Sequence, residues 1–244
     1  ATFHYVSHSS ISHMTESFPG VLSIGGGELL NQFFDMNQGE FITRPGRLEN
    51  LPDTFRPHRD NDFLYYAGRH ALVFHGGLYW YDHARHTVRF VKDVGDQRQA
   101  LADSNGMWVG SQEALLYLDE TTGILKSWAY PVAPVSAPYS FCMMMMKDQK
   151  GNLWIASMKG VLCFNTVTQT WKQYYHREND STSLSTDIVF SVCVDPKQPE
   201  RYIWAGTEGG GLNRIDLTTG KVKCFREKDG LPNSVIYGIV PDNE

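Results

Sequence analysis

A short tryptophan motif recurs along the chain and limits the folds that this sequence can adopt. Its pattern is an apolar residue, tryptophan, a second apolar residue, Gly or Ala, and then Ser or Thr. The three copies are Met107–Ser111, Leu153–Ser157 and Ile203–Thr207. Their tryptophans are 46 and 50 residues apart. A regular period of this length indicates a repeat architecture, in which each copy is one supersecondary unit.

Each tryptophan strand is followed by an apolar run that ends in Asp or Asn, and then by a turn and one more strand. The same anchor residue also marks two weaker copies upstream. The five anchors lie 37 to 51 residues apart and are Asp35, Asp82, Asp119, Asn165 and Asp216. Five such units with strand-sized apolar runs predict an all-β fold, a β-propeller with about five four-stranded blades. We interpret residues 1–244 as one partial propeller whose last blade is truncated.

The most regular residues of the repeat are interpreted as structural, and we call them the blade signature. They are Trp108, Trp154, Trp204, Asp119, Asn165, Asp216, Gly151 and Gly211. We expect the three tryptophans to be largely buried between blades. The strand before each tryptophan strand is predicted at Val189–Val194 and Phe141–Met146, so the methionine run Met143–Met146 is interpreted as core packing.

Composition excludes several classes of function. The net charge is −5 and the first 43 residues contain neither Lys nor Arg, whereas a surface for nucleic acid needs clustered cations. No apolar run approaches the roughly 18 residues of a membrane helix. The four cysteines form no C-x-x-C pair and are interpreted as buried thiols, with a disulfide between neighbouring blades left open; they are Cys142, Cys163, Cys193 and Cys224.

Candidate chemical sites are interpreted as turns. The segments Gly25–Gly27 and Gly209–Gly211 are not followed by the helix that a phosphate loop requires. Asp148–Asn152 resembles a calcium loop without its closing acidic residue. A histidine cluster for a metal is the weaker alternative to a hairpin turn, and its members would be His70, His75, Asp82, His83 and His86. We therefore predict no catalytic residue, no metal site and no cofactor.

The repeats resemble the two-component regulator propeller family. The resemblance rests on Gly151–Ser157, on Ile203–Asp216 and on the link Asp229–Tyr237, and it covers residues 107–244 well and residues 1–106 poorly. The resemblance implies the periplasmic sensor region of a hybrid two-component sensor histidine kinase, with a seven-bladed parent propeller. It also implies an oligosaccharide or other small ligand, a neighbouring propeller and an immunoglobulin-like domain in the same chain, a homodimer, and a membrane helix downstream.

Two other functions remain open for such a propeller. One is an enzyme, a lyase or glycosidase with its site at the central channel, and the other is a scaffold for protein interaction. The sequence identifies no ligand-binding residue. Because residues 242–244 align with residues 148–150, we expect the native chain to continue with a glycine and a tryptophan strand. In the same interpretation Phe3–Tyr5 ends a preceding blade and Val235–Val240 begins a following one.

Overall fold

The computed structural model describes residues 13–18, 21–26, 29–42, 64–67, 70–74, 78–82, 85, 87–93, 99–111, 113–131 and 142–241. Twenty strands in this part of the chain form five antiparallel sheets of four strands each. In every sheet the strands are adjacent in chain order, so each sheet is an up-and-down meander. These five sheets are the predicted blades, and the all-β prediction is confirmed.

The strands are numbered in chain order. Blade 1 contains β1 (His13–Phe18), β2 (Val21–Gly26), β3 (Leu29–Asp35) and β4 (Glu40–Ile42), and blade 2 contains β5 (Leu64–Ala67), β6 (His70–Phe74), β7 (Leu78–Asp82) and β8 (Thr87–Lys92). Blade 3 contains β9 (Gln99–Asp103), β10 (Gly106–Gly110), β11 (Ala114–Asp119) and β12 (Leu125–Ala129). Blade 4 contains β13 (Cys142–Lys147), β14 (Asn152–Ser157), β15 (Gly160–Asn165) and β16 (Thr170–Tyr174). Blade 5 contains β17 (Val189–Val194), β18 (Tyr202–Thr207), β19 (Leu212–Asp216) and β20 (Val222–Phe225), and a short 3-10 helix follows at Glu227–Asp229.

The chain divides into two compact units. The first consists of Ala1–Gln97, Ala102–Met107 and Tyr117–Leu125, and the second of Arg98–Leu101, Trp108–Leu116 and Lys126–Glu244. Blades 1 and 2 belong to the first unit and blades 4 and 5 to the second, whereas the sheet of blade 3 contains residues of both.

The core of the second unit lies between blades 4 and 5. Strand β14 is buried along almost its whole length, which explains its continuous apolar run. Its side chains pack with those of β17 and β18 in one cluster that includes Trp154, Ala156, Val189 and Ile203. Three methionines of the run pack against this cluster from β13, as predicted for core residues.

Two glycines let the turn between the second and third strands of a blade lie close to the end of the fourth strand. At Gly160, where φ is +95°, a Cβ would lie 2.0 Å from the carbonyl oxygen of Tyr174, and at Gly211, where φ is +83°, it would lie 2.1 Å from that of Phe225. No other residue fits so close to a neighbouring backbone. Gly211 belongs to the blade signature, whereas the equivalent role of Gly160 was missed.

The segment after blade 5 differs from its prediction. Residues 235–240 form no strand, although Val235–Val240 was expected to begin a following blade. The Ile236 N–H donates to the Thr207 carbonyl at 3.0 Å, and a Cβ on Gly206 would lie 2.7 Å from Ile236. These contacts place the segment against blade 5. The segment is not a strand, because it forms no ladder of backbone hydrogen bonds with any of the described residues. The expectation for Phe3–Tyr5 falls outside the described residues.

Candidate functional site

The anchor residues of the repeat cap the hairpin between the third and fourth strands. Asp119 Oδ1 accepts hydrogen bonds from the backbone N–H groups of Thr121 and Thr122, at 3.0 and 2.8 Å. Asn165 and Asp216 make the same pair of bonds in their own blades. Asp35 repeats the pattern in blade 1, and Asp82 accepts the Arg85 N–H in blade 2. These side chains hold the turns in shape, because an Asx turn satisfies two backbone donors with one carboxyl oxygen.

A second set of aspartates, which the sequence interpretation missed, holds the tryptophan rings. Asp148 Oδ2 accepts the indole N–H of Trp154 at 2.9 Å, and Asp195 Oδ2 accepts that of Trp204 at 2.8 Å. Burial would raise the pKa of Asp195, but hydrogen bonds from the Gln198 N–H and the Trp204 indole hold that pKa below its ordinary value. A carboxylate that accepts several hydrogen bonds is stabilised in its charged form.

The tryptophans of the blade signature are not equally buried. Trp108 and Trp154 are 5% and 3% exposed, as predicted, whereas Trp204 is only partly buried. Trp108 packs at 5.9 Å, between ring centroids, against Phe164 of the next blade. Gly151, with φ at +83°, forms the turn between β13 and β14, and its carbonyl accepts the Thr166 hydroxyl at 2.9 Å.

The cysteines form no disulfide. Burial raises the pKa of the Cys142 thiol and that of the Cys163 thiol to about 12 each. Thiols in this state are poor nucleophiles at neutral pH. Among the residues that the structure describes, no group of His, Cys, Asp and Glu is placed to hold a metal ion. His75, His83 and His86 lie outside the described residues. The interpretation of this region as a hairpin turn and not a metal site therefore stays a prediction.

A polar cleft of about 740 Å³ lies in the first unit, between the third-to-fourth-strand hairpins of blades 2 and 3. We call it the hairpin cleft. It is lined by Trp80, Asp82, Arg85, Thr87, Arg89 and the turn 120–123. Its volume falls within the range of small-molecule sites. The repeat places it, because the anchors Asp82 and Asp119 shape the two hairpins that face each other across it.

The charges of the hairpin cleft are arranged unevenly. The Arg85 guanidinium donates to Asp82 Oδ2 at 3.2 Å and the Arg85 backbone N–H donates to Oδ1 at 3.1 Å, so these two side chains form one exposed pair. Arg89 and Thr87 project from β8, and both are exposed. The Thr122 hydroxyl is committed to Asp119 Oδ1 at 2.9 Å.

The hairpin cleft has the chemistry of a binding site for a polar ligand with flat apolar faces. Trp80 supplies an indole, whose face can pack against a ring. Guanidinium and hydroxyl groups supply directional hydrogen bonds. The sequence interpretation found no binding residue here, because the cleft requires hairpins of two blades to meet. The available signal was the pair of anchors, each followed by a polar turn.

The sequence matches no known protein family and none of the curated proteins. Solved structures share its fold. The extracellular domain of the putative hybrid two component system BT3049 from B. thetaiotaomicron is 16% identical with a TM-score of 0.62, over 98% of this chain and 31% of that one. PorZ, an essential bacterial surface component of the type-IX secretion system of Porphyromonas gingivalis, is 18% identical with a TM-score of 0.62, over 96% and 36%. The β-propeller domain of Cps50 (Swd1) from Myceliophteria thermophila is 12% identical with a TM-score of 0.55, over 88% and 68%.

At these identities the likeness shows the fold, which is that of a β-propeller. The chain spans about a third of the length of the first two proteins. Within the described part of the chain, no helix has both the length and the apolar character to cross a membrane.

Proposed function

We propose that this chain is an extracytoplasmic ligand-sensing propeller of a hybrid two-component sensor histidine kinase, that it binds an oligosaccharide, and that it binds without catalysis. The observation that carries the proposal is the hairpin cleft, in which an indole, guanidinium groups and hydroxyls line a volume of about 740 Å³. The likeness to an extracellular domain of a putative hybrid two component system supports the same role.

The cleft suits a sugar because each kind of lining group matches one part of a pyranose. The face of a sugar ring presents C–H groups, which pack on the indole of Trp80. The hydroxyls of a sugar exchange hydrogen bonds with Thr87, Thr121 and the guanidinium groups that line the cleft.

Signalling from this site requires a difference in affinity between two arrangements of the protein. A ligand in the cleft contacts the hairpins of two neighbouring blades in the first unit. It therefore favours whichever spacing of these hairpins gives the better contacts. In the proposed sensor the change passes to the neighbouring propeller and immunoglobulin-like domains of the same chain, and from there to a periplasmic homodimer and its membrane helix.

The test is titration calorimetry of the chain against a panel of neutral and acidic oligosaccharides. We expect one class to bind, and Trp80→Ala to weaken that binding about tenfold, which corresponds to one lost aromatic contact. Phe90→Ala is the matched control, since Phe90 lies on β8, is 55% exposed and does not line the cleft.

Other results would assign another function. Release of a shortened sugar during the titration would favour the propeller enzyme. Failure of the whole panel to bind, together with capture of a defined protein partner, would favour the scaffold.

A further inference from the structure

We propose that the hairpin cleft selects oligosaccharides that carry a carboxylate or sulfate group, and that the Arg89 guanidinium binds this group. The inference rests on the proposed function and specifies the ligand class of the same site.

Arg89 carries a positive charge that has no counter-charge among the residues that the structure describes. The Arg85 guanidinium has its partner in Asp82, at 3.2 Å. In the described part of the chain, no carboxylate lies within ion-pair distance of the Arg89 guanidinium. Among the described lining residues, Arg89 therefore supplies the one guanidinium that has no carboxylate partner and can pair with an anionic group of the ligand.

The Arg89 guanidinium lies next to the hairpin of blade 3. A Cβ on Gly123 would lie 3.1 Å from Arg89 Nη2. The Arg89 side chain thus extends from β8 of blade 2 to the opposite hairpin in blade 3, and both of these residues line the cleft. Gly123 has no side chain to occupy this space, and its φ of +66° disfavours any other residue.

The shape of the guanidinium also matches an anionic group on a sugar. A guanidinium presents its N–H groups in a planar fork that matches the two oxygens of a carboxylate or two of a sulfate. Trp80 lies in the same cleft and offers a surface for the ring that bears the anion. An inorganic anion would use the guanidinium alone, whereas an acidic sugar uses the guanidinium and the indole.

A metal cation is a poorer match to the same residues. Asp82 is one of the two carboxylates among the described lining residues, and it already accepts hydrogen bonds from Arg85 through both of its oxygens. A divalent ion prefers several oxygen ligands and is repelled by nearby guanidinium groups.

The experiment compares two matched pairs of probes by titration calorimetry. One pair is tetragalacturonate and its methyl ester, and the other is sulfated cellotetraose and cellotetraose. The two members of each pair share one sugar backbone and differ in whether it carries anionic groups. The proteins are the unaltered chain, Arg89→Gln, Arg89→Lys and the control Lys92→Gln, which removes an exposed cation of the same strand outside the cleft.

We expect the charged member of at least one pair to bind more tightly than its neutral partner, and the pair that shows the difference identifies carboxylate or sulfate. Arg89→Gln should weaken charged binding by about tenfold to a hundredfold, the range of a hydrogen bond to a charged group. Arg89→Lys should retain part of the affinity, and raising the salt concentration should narrow the difference within the pair.

Two outcomes overturn the inference in different ways. Equal affinities within both pairs, unchanged by Arg89→Gln, would refute the selection of anions and leave the oligosaccharide sensor standing. Absence of binding by all four probes and by the wider panel would remove the proposed function and the inference together. Because Arg89 is exposed, its variants should keep the melting temperature of the unaltered chain, and this measurement excludes misfolding as the cause of any loss.

Discussion

The carboxylate of Asp148 offers the sharpest test of how a blade is held together. Its two oxygens accept four hydrogen bonds: Oδ1 accepts the N–H groups of Lys150 and Asn152, and Oδ2 accepts the Asn152 side-chain amide and the Trp154 indole. The Asn152 side chain in turn accepts the Asn165 amide at 2.8 Å. One carboxylate therefore fixes the turn between β13 and β14, the buried indole and the link to the anchor of the same blade.

Replacement of Asp148 by Ala should lower the free energy of unfolding by about 2–5 kcal/mol. Three donors with little access to water lose their acceptor: the Trp154 indole N–H and the backbone and side-chain N–H groups of Asn152. The Trp154 ring is 3% exposed, so its loss costs about 1–3 kcal/mol, whereas Asn152 is half-buried and each of its two donors costs about 0.5–1 kcal/mol. The Lys150 N–H is on the exposed side of the turn and rehydrates, so it adds little.

The variant Asp148→Asn separates the roles of the two oxygens. Its side chain would keep one carbonyl oxygen for the Lys150 and Asn152 N–H groups, but its amide nitrogen would face two donors. The Asn152 side chain cannot rotate to relieve this contact without giving up the bond from Asn165. We expect a loss of about half that of the Ala variant, at roughly 1–3 kcal/mol.

Equilibrium unfolding in urea, followed by tryptophan fluorescence and circular dichroism, measures both losses. Gln149→Ala is the control, because Gln149 is exposed in the same turn, and it should shift the free energy of unfolding by less than about 0.5 kcal/mol. If Asp148→Ala were as mild as this control, the carboxylate would not hold the tryptophan ring and the argument would fail.

Two further predictions concern blade 5 and its comparison with blade 4. Trp154→Ala should cost about 3–5 kcal/mol, the range for a buried aromatic residue, and Trp204→Ala should cost clearly less, since Trp204 is only partly buried; equal losses in urea unfolding would contradict this order. The depressed pKa of Asp195 means that its contribution to stability is present above the ordinary Asp pKa of about 4 and is lost as pH falls through the lower pKa of the folded state. Urea unfolding between neutral pH and about pH 2 should therefore show the gap between the unaltered chain and Asp195→Asn closing in acid; a gap that stayed constant would show that Asp195 is not charged in its bond to Trp204.

Much of the fold was readable from the sequence because each blade repeats a local pattern. The strand Val189–Val194 has the predicted bounds, and the anchors Asp119 and Asp216 mark hairpins as their spacing indicated. The partners of the tryptophans were not readable in the same way. Asp148 lies six residues before its tryptophan but Asp195 lies nine before its own, so no constant spacing reveals the pair.

The candidate site was harder to foresee than the fold. Trp80 and Arg89 are nine residues apart and lie on different strands, and the turn that faces them begins about thirty residues further on at Glu120. Trp80 and Arg89 are cross-strand partners in the register of β7 and β8, so these two residues meet locally. Their meeting with the turn 120–123 depends on how the hairpin of blade 2 packs beside that of blade 3, which is a long-range property. A period in the sequence predicts that blades exist, but it carries no information about which hairpin side chains face each other.

The junctions between consecutive blades carry information about blade order. In blade 3, a Cβ on Gly110 would lie 2.4 Å from the Cys142 sulfur of the strand that opens blade 4. In blade 5, a Cβ on Gly206 would lie 2.7 Å from Ile236, which belongs to the irregular segment that follows this blade. Blade 4 has Ala156 at the corresponding place, in one cluster with Val189. At each of these three places a small residue lies near one side chain of the segment that follows, and these side chains differ in volume. A gene duplication or an engineered exchange that moved one of these blades to another place would therefore bring a side chain of a different volume against the small residue.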